Sequence, residues 1–324
     1  MGFSHYLVLF VLLSLPVLLG AQKANISLGS YLTASDDASW RSPSGDFAFG
    51  FSRINNQDLF LLAIWYEKIP GRTLVWYANG DNLAPKGSKL QLSNNGNFTL
   101  TGPQGQEIWN PKSSTDGVAY AAMLDDGNFV LAGRDSNYLW ESFKNPTDTI
   151  LPTQVLELGG KLSSRQTETN YSKGRNGSVV NLTKNRTKSM GDYYYRATLD
   201  ADGIFALHAH PRTQTNGSLG KTWFAIWSVP DDICSDMDAG TPTDLGGGPC
   251  GYNSYCRLDE KRRPLCECLP GFSLSDPNNK LNGCKQNRIP NCHQDNAKPE
   301  DLYEMQELPN TFWPVSANFE QLPG

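Results

Sequence analysis

Six cysteines in the C-terminal third of this 324-residue chain constrain its fold more than any other feature. They are Cys234, Cys250, Cys256, Cys266, Cys268 and Cys284. The gaps between successive cysteines are 15, 5, 9, 1 and 15 residues. A segment so short and so rich in cysteine has too little apolar core to fold without covalent cross-links. We therefore predict disulfides, an oxidising compartment outside the cytosol, and a recognition protein in preference to an enzyme.

A single residue separates Cys266 from Cys268, and Leu269-Pro270-Gly271-Phe272 follows directly. This spacing resembles an EGF-like module, which we assign to residues 231–285. Spacing alone permits fifteen connectivities. The resemblance implies the pairs Cys234–Cys256, Cys250–Cys266 and Cys268–Cys284. Zinc binding by these cysteines is the alternative, and secretion together with the one-residue gap argues against it. We also interpret the module as one that binds no calcium.

The N-terminus predicts entry into the secretory pathway. An apolar run spans Leu7–Leu19 and ends at small residues, so residues 1–21 are assigned to a signal peptide cleaved after Ala21. The alternative, a signal anchor, would need a longer run. Seven N-glycosylation sequons agree with secretion. They begin at Asn25, Asn97, Asn170, Asn176, Asn181, Asn185 and Asn216. We expect the chain to be secreted or to lie on the extracellular side of the plasma membrane.

Composition and patterning predict an all-β fold. The net charge is only −5, without a long basic run, which argues against a nucleic-acid partner. Short alternating segments recur between turn residues, as in Asp46–Phe51. Leu90–Ser93 and Phe98–Leu100 flank Asn94-Asn95-Gly96 and predict a hairpin.

The chain also contains an internal repeat. Gly96-Asn97-Phe98-Thr99-Leu100 matches Gly127-Asn128-Phe129-Val130-Leu131 at a distance of 31 residues, and Trp109 and Trp140 lie the same distance apart. Gly45-Asp46-Phe47 is a looser, earlier copy. Repeated units that each supply one tryptophan are expected to pack around a shared axis, with the tryptophans in the core.

These features resemble the bulb-type (monocot mannose-binding) lectin domain, a β-prism of three four-stranded sheets. Trp40–Phe51 resembles its first sheet, and Ile64–Tyr66 with Leu74–Asn79 resembles the next hairpin. Leu139–Pro152 resembles the Trp-x-Ser-Phe-x-x-Pro-Thr-Asp-Thr-x-Leu-Pro signature of plant S-domain proteins. These proteins are the S-locus glycoproteins and the G-type lectin S-receptor-like kinases.

The resemblance implies an order of domains along nearly the whole chain. The bulb-type lectin domain is assigned to residues 22–146 and a second lectin-like, S-locus glycoprotein domain to residues 147–230. The EGF-like module follows, and residues 286–324 resemble the start of a PAN/apple domain. Cys292 in that segment is expected to be unpaired and reactive, or available for an intermolecular bridge. Because no kinase motif is found, we interpret the chain as a truncated ectodomain without catalytic activity.

The sugar site of the lectin family follows the pattern Gln-x-Asp-x-Asn-x-Val-x-Tyr. Alternate residues are needed because a strand turns every second side chain to one face. The second repeat keeps Asp126, Asn128 and Val130, but it has Leu124 in place of Gln and Ala132 in place of Tyr. The loss of a hydrogen-bonding group at such a site costs about 1–3 kcal/mol.

The first repeat keeps only the asparagine of this pattern, as Asn97, and a glycan there would occlude the site. The three retained residues of the second repeat are thus a degenerate carbohydrate site. The favoured alternative is that Asp126-Gly127-Asn128 forms a tight turn whose polar side chains cap the backbone.

Other chemistry has little support in the sequence. His208 and His210 alternate on one predicted strand and could approach a metal, but no third ligand is in view, so we expect solvated side chains and no metal site. With four histidines and no Gly-x-Ser-x-Gly elbow, a histidine-based nucleophile is poorly supported. No cofactor is expected. A glycosidase would need paired carboxylates in a cleft, which sequence alone does not test.

Two functional hypotheses follow. The first is the extracellular recognition region of a plant S-domain receptor-like kinase, which binds a carbohydrate or protein ligand in defence, stress or self-recognition signalling. The resemblance implies a mannose-type glycan or a peptide as ligand, and a receptor homodimer or co-receptor as partner. The second hypothesis is a secreted mannose-type lectin, against which the degenerate motifs and the superfluous EGF-like module argue.

Overall fold

The computed structural model describes residues 25–35, 38–55, 57–112, 116–157, 159–165, 173–176, 191–212, 222–235, 248–260 and 262–287. Within these residues the regular structure consists of β-strands and short 3₁₀ turns, so the all-β prediction is confirmed. The described residues form two compact units. The first contains those up to Leu74 and Leu83–Phe143; the second contains Val75–Asn82 and those from Lys144 onwards.

The first unit is built from short antiparallel strands with two to eight residues each. Its strands are β1 (Ile26–Ser27), β2 (Tyr31–Thr33), β3 (Ser39–Arg41), β4 (Phe47–Arg53), β5 (Leu59–Tyr66), β7 (Ala84–Pro85), β8 (Lys89–Leu92), β9 (Phe98–Thr101), β10 (Glu107–Trp109), β11 (Tyr120–Met123), β12 (Phe129–Ala132) and β13 (Tyr138–Glu141). The boundary between the two units falls inside β6 (Thr73–Tyr77).

Three sheets make up this unit, which we call the lectin prism. One sheet has the order β1-β11-β12-β13, and a second has the order β10-β9-β8-β2. In the third, β4 lies between β3 and β5, and β7 pairs with Leu59 and Phe60 at the start of β5. The expected hairpin is present, because Leu90 faces Leu100 and Leu92 faces Phe98 across β8 and β9.

One phenylalanine from each sheet meets the others at the axis of the prism. The rings of Phe49 and Phe129 are 3.9 Å apart between centroids, those of Phe98 and Phe129 are 5.5 Å apart, and those of Phe49 and Phe98 are 6.3 Å apart. Trp40 lies 6.1–6.4 Å from each of the three rings. All three phenylalanines are buried. Burial of such large rings contributes to the apolar driving force for the prism.

The repeat accounts for two of these three rings. Phe98 and Phe129 occupy equivalent positions, and the repeated Trp109 and Trp140 contact each other edge to face at 6.0 Å. The looser copy differs, because Phe49 takes the axial position while Phe47 packs against Tyr66 at 4.6 Å. The prediction of a shared axis holds, and the bulb-type lectin fold is confirmed.

The second unit contains another antiparallel sheet, with the order β14-β17-β18-β19. Its strands are β14 (Thr149–Ile150), β15 (Ser163–Arg165), β16 (Lys173–Asn176), β17 (Tyr193–Leu199), β18 (Phe205–Pro211) and β19 (Phe224–Val229), of which β15 and β16 pair separately. Asp148, just before β14, forms an ion pair with Arg165, with 3.1 Å between Asp148 Oδ2 and Arg165 Nε. Burial raises the pKa of Asp148 above its usual range, and the positive charge of Arg165 opposes this shift.

The expectation that His208 and His210 are solvated is wrong. Each is only 8% exposed in β18. The ring of His210 packs 5.4 Å from the ring of Trp223, and His210 Nδ1 lies 2.8 Å from the carbonyl oxygen of Pro211. Strand alternation correctly places both imidazoles on one face, but the sequence does not show that other side chains cover this face.

Two small hairpins form what we call the cysteine module. Their strands are β20 (Ser254–Leu258), β21 (Pro264–Cys268), β22 (Phe272–Leu274) and β23 (Cys284–Gln286). The structure contains the disulfides Cys234–Cys256, Cys250–Cys266 and Cys268–Cys284.

Ion pairs join this module to the β17–β18 turn within the second unit. Arg263 Nη1 donates to both carboxylate oxygens of Asp202, at 3.2 and 2.9 Å, and Arg263 Nη2 donates to Asp200 Oδ2. The two carboxylates raise the pKa of Arg263 although its burial acts in the opposite direction.

Several sequence predictions lie outside the described residues. These are the signal peptide, Cys292, the PAN/apple start beyond residue 287, and the sequons at Asn170, Asn181, Asn185 and Asn216, as well as the side chain of Asn176. In the part of the chain that the structure describes, no helix has the length and apolar character required to span a bilayer.

Candidate functional site

The predicted sugar residues of the second repeat begin in a tight turn. The Gly127 N–H donates to the carbonyl oxygen of Leu124 at 3.2 Å, and Gly127 has a φ of +94°, which favours glycine. The Asn128 N–H donates to Asp126 Oδ1 at 2.9 Å, so the aspartate caps the turn that it belongs to. The neighbouring Asp125 accepts from the Ser44 N–H at 2.8 Å.

The side chain of Asn128 is directed into the protein and is only 4% exposed. Its Oδ1 accepts from Ser142 Oγ and from the Phe143 N–H, both at 3.1 Å. Its Nδ2 donates to Glu141 Oε2 at 3.0 Å. Ser142 Oγ also accepts from the Phe129 N–H at 2.9 Å, which ties the start of β12 to the end of β13. Asn128 therefore stabilises the junction of these two strands.

The other two predicted residues differ in accessibility. The side chain of Val130 is fully buried in β12, so it presents no surface to a sugar ring. Asp126 reaches the surface of the turn. The turn around it removes part of its hydration, which raises the pKa of Asp126, while the hydrogen bond from Asn128 lowers it. In this conformation Asp126 is the member of the trio that offers a polar group to solvent.

The first repeat uses the same positions differently. Asn97 is exposed at the turn before β9, and Thr99 and Thr101 follow on the same outward face. Ser93 Oγ donates to Asn95 Oδ1 and to the carbonyl oxygen of Asn97, the latter at 3.1 Å. Equivalent asparagines of the two repeats thus lie in opposite environments, one internal and one on the surface.

The outward face of the β10-β9-β8-β2 sheet carries residues that the sequence analysis did not single out. Tyr31 is 59% exposed and lies opposite Gln91, which in turn lies opposite Thr99. Lys89 Nζ lies 4.4 Å from the centroid of the Tyr31 ring. The alternation of buried and outward residues in β8 and β9 could be predicted from the sequence. The proximity of Tyr31 to Gln91 could not, because it depends on the pairing of strands about sixty positions apart in the sequence.

No cluster of three or more metal-ligating side chains occurs among the described residues. The second unit holds an apolar cavity of about 180 Å³ in its sheet. Its lining residues are Ile150, Leu151, Pro152, Tyr195, Arg196, Ala197 and Leu207. It lacks the paired carboxylates that glycoside hydrolysis would need.

Comparison with known proteins agrees with this architecture. The family model for D-mannose binding lectin matches residues 73–173. The G-type lectin S-receptor-like serine/threonine-protein kinase LECRK4 of Oryza sativa subsp. indica is 36% identical to this chain in an alignment that covers 96% of the chain. The chain is a relative of the G-type lectin S-receptor-like kinases. It therefore carries a lectin domain of the type found in this receptor family.

The chain spans less than half the length of these curated relatives, since it covers 45% of LECRK4. The receptor-like kinase RLK1 of Arabidopsis thaliana is 35% identical over 93% of this chain, which covers 44% of RLK1. Among solved structures, the monomeric monocot mannose-binding lectins from Gastrodia elata align with 40% of this chain and 98% of their own. Their sequence identity is 21% and the TM-score is 0.28.

Proposed function

We propose that this chain is an extracellular recognition region that binds a carbohydrate or protein ligand for a plant S-domain receptor-like kinase and performs no catalysis itself. The observation that carries the proposal is the intact lectin prism, whose three sheets meet at Phe49, Phe98 and Phe129, in a chain related to receptor-like kinases over most of its length. A module held by three disulfides supports an extracellular location.

The ligand of this region contacts side chains other than Asn128 and Val130. The polar atoms of Asn128 already bond to Glu141, Ser142 and Phe143, and Val130 is fully buried. Recruiting Asn128 to a sugar would break these bonds, and each buried polar group left without a partner costs about 1–3 kcal/mol. Binding of one monosaccharide at this turn does not repay such a loss. The same proposal includes that this region forms a receptor homodimer or pairs with a co-receptor.

The alternative function, a secreted mannose-type lectin, is favoured by one observation, the match of residues 73–173 to the D-mannose binding lectin model. It requires Asp126 to contact the sugar, because this residue offers its carboxylate to solvent. Asp135 is a matched control, since it is an exposed aspartate in the next turn of the same sheet.

A glycan array probed with the secreted protein tests both functions. The lectin alternative predicts binding to mannose-type glycans that Asp126→Ala abolishes and Asp135→Ala retains. The receptor proposal predicts a ligand that both variants bind equally, either on the array or among proteins cross-linked from plant extracellular fluid. Absence of any specific ligand in both assays contradicts the receptor proposal, and turnover in a glycosidase screen contradicts its non-catalytic part.

A further inference from the structure

We propose that an N-linked glycan on Asn97 folds back over the outward face of the β10-β9-β8-β2 sheet and packs on the ring of Tyr31. The occupant of this face is thus the protein's own sugar. The inference rests on the extracellular part of the proposed function, because only chains in the secretory pathway receive N-glycans. Asn97-Phe98-Thr99 is the required sequon, and Asn97 is exposed.

The register places the two ends of this contact on the same face. Ser93 bonds to Asn97, Gln91 faces Thr99, and Tyr31 faces Gln91. Tyr31 therefore lies two strands across and two residues along from Asn97. With standard strand spacing and rise, their Cα atoms are roughly 12 Å apart. The asparagine side chain and the first one or two sugar rings span such a distance.

The chemistry of this face suits an N-acetylglucosamine core. A sugar ring has one face of C–H groups, which packs favourably on an aromatic ring, and a rim of hydroxyl and acetamido groups. Tyr31 offers the ring and is 59% exposed even though the ammonium of Lys89 lies 4.4 Å from its centroid. The outward side chains of Gln91 and Thr99, between Tyr31 and Asn97, offer amide and hydroxyl partners to the rim.

The two repeats use their equivalent asparagines differently. In the second repeat Asn128 turns inward and bonds to Ser142. In the first, Asn97 is outward and its glycan covers the polar residues that follow it, so this face is closed to an external sugar. Exposed aromatic surface on Tyr31 is removed from water in the process, which stabilises the prism.

A double-mutant cycle on the full secreted chain tests the inference. Mass spectrometry first reads the occupancy of Asn97. Thermal unfolding is then measured for the wild type, Tyr31→Ala, Asn97→Gln and the double variant. Tyr138→Ala, made in the wild-type and Asn97→Gln backgrounds, is the control, because Tyr138 is 40% exposed in a different sheet. We expect Tyr31→Ala to lower the Tm by about 2–4 °C when Asn97 carries its glycan. In the Asn97→Gln background the same change should have less than half that effect.

Three results would overturn the inference. They are an unmodified Asn97, an effect of Tyr31→Ala that is equal in both backgrounds, and an effect of Tyr138→Ala that depends on the Asn97 glycan to the same extent. A nuclear Overhauser effect between the Tyr31 ring and the isotope-labelled first sugar is the direct confirmation. The glycan array separates this inference from the proposed function, because a protein that binds no ligand can still show the coupling between Tyr31 and Asn97.

Discussion

In the lectin prism the interior is a stack of aromatic rings, whereas in the cysteine module the buried side chains are half-cystines. Phe49, Phe98 and Phe129 are at most 1% exposed. Among the described residues from 248 to 287, the buried side chains belong to Cys250, Cys266 and Cys284. The prism is large enough to exclude water with side chains alone. The module is too small to do so, and its order depends on limiting the freedom of the unfolded chain.

The largest expected effect tests the aromatic half of this comparison. Phe129→Ala removes the ring that lies 3.9 Å from Phe49 and leaves a cavity that the surrounding sheets cannot close. We expect a loss of about 3–5 kcal/mol in the free energy of unfolding of the prism. Hydrogen exchange of the β9 and β12 amides measures it. Phe224→Ala, at a 38% exposed phenylalanine, is the control, and an equal loss there would contradict the role of the stack.

Removal of one disulfide tests the other half. The double substitution Cys250→Ser and Cys266→Ser opens a loop with a sequence separation of 16 residues, which should cost about 3 kcal/mol. We expect the amides of β20–β23 to lose their protection from hydrogen exchange while those of β4 and β5 keep theirs. Cys292→Ser, which leaves all three bridges in place, is the control. Simultaneous loss of protection in the prism would show that the two regions do not differ as described.

A polar contact also contributes to the prism. Asn128→Ala removes the acceptor for Ser142 and Phe143 and the donor to Glu141. The expected loss is about 1–3 kcal/mol, because buried polar groups remain without partners. Urea denaturation measures it against Asn95→Ala, an exposed asparagine in the turn of the first repeat. A smaller effect at Asn128 than at Asn95 would return Asn128 to the list of residues available for a sugar.

The smallest expected effect, taken per pH unit, is a dependence of stability on pH in the second unit, which also contains the cysteine module. Burial and the positive charges of Arg196 and Arg263 lower the pKa of His208 from 6.5 to about 4, against the opposing charge of Asp200. Between these values the unfolded chain binds a proton that the folded protein does not. Stability from this group is therefore present above pH 6.5 and is lost as the pH falls towards 4, by at most about 1.4 kcal/mol per pH unit.

Two carboxylates act in the opposite direction in acid. Burial raises the pKa of Asp148 and Asp202, so each stabilises the folded state as it takes up its proton. The contribution of His208 is therefore read as the difference between the wild type and His208→Gln in denaturation curves from pH 7 to 4. The expected difference shrinks with falling pH, and a constant difference would show that His208 titrates normally.

Much of the prism was predictable from local sequence. The 31-residue repeat places Phe98 and Phe129 two residues after a turn glycine, so both rings project to the same side of their strands and meet at the axis. The one-residue gap between Cys266 and Cys268 indicated a compact cross-linked module. The axial ring of the third sheet was missed, since Phe49 is separated from its turn by two more residues than the repeat requires.

Tertiary structure alone decided how identical motifs are used. Asn97 and Asn128 have the same neighbours in sequence, yet one is exposed and the other bonds to Glu141 and Ser142. The burial of His208 and the approach of Tyr31 to Gln91 likewise depend on pairings between distant strands. Sequence periodicity states which face of a strand a side chain occupies. The residues that pack against that face are determined by how the sheets assemble. They come from strands that are distant in the sequence, and local periodicity does not indicate which distant strands pair.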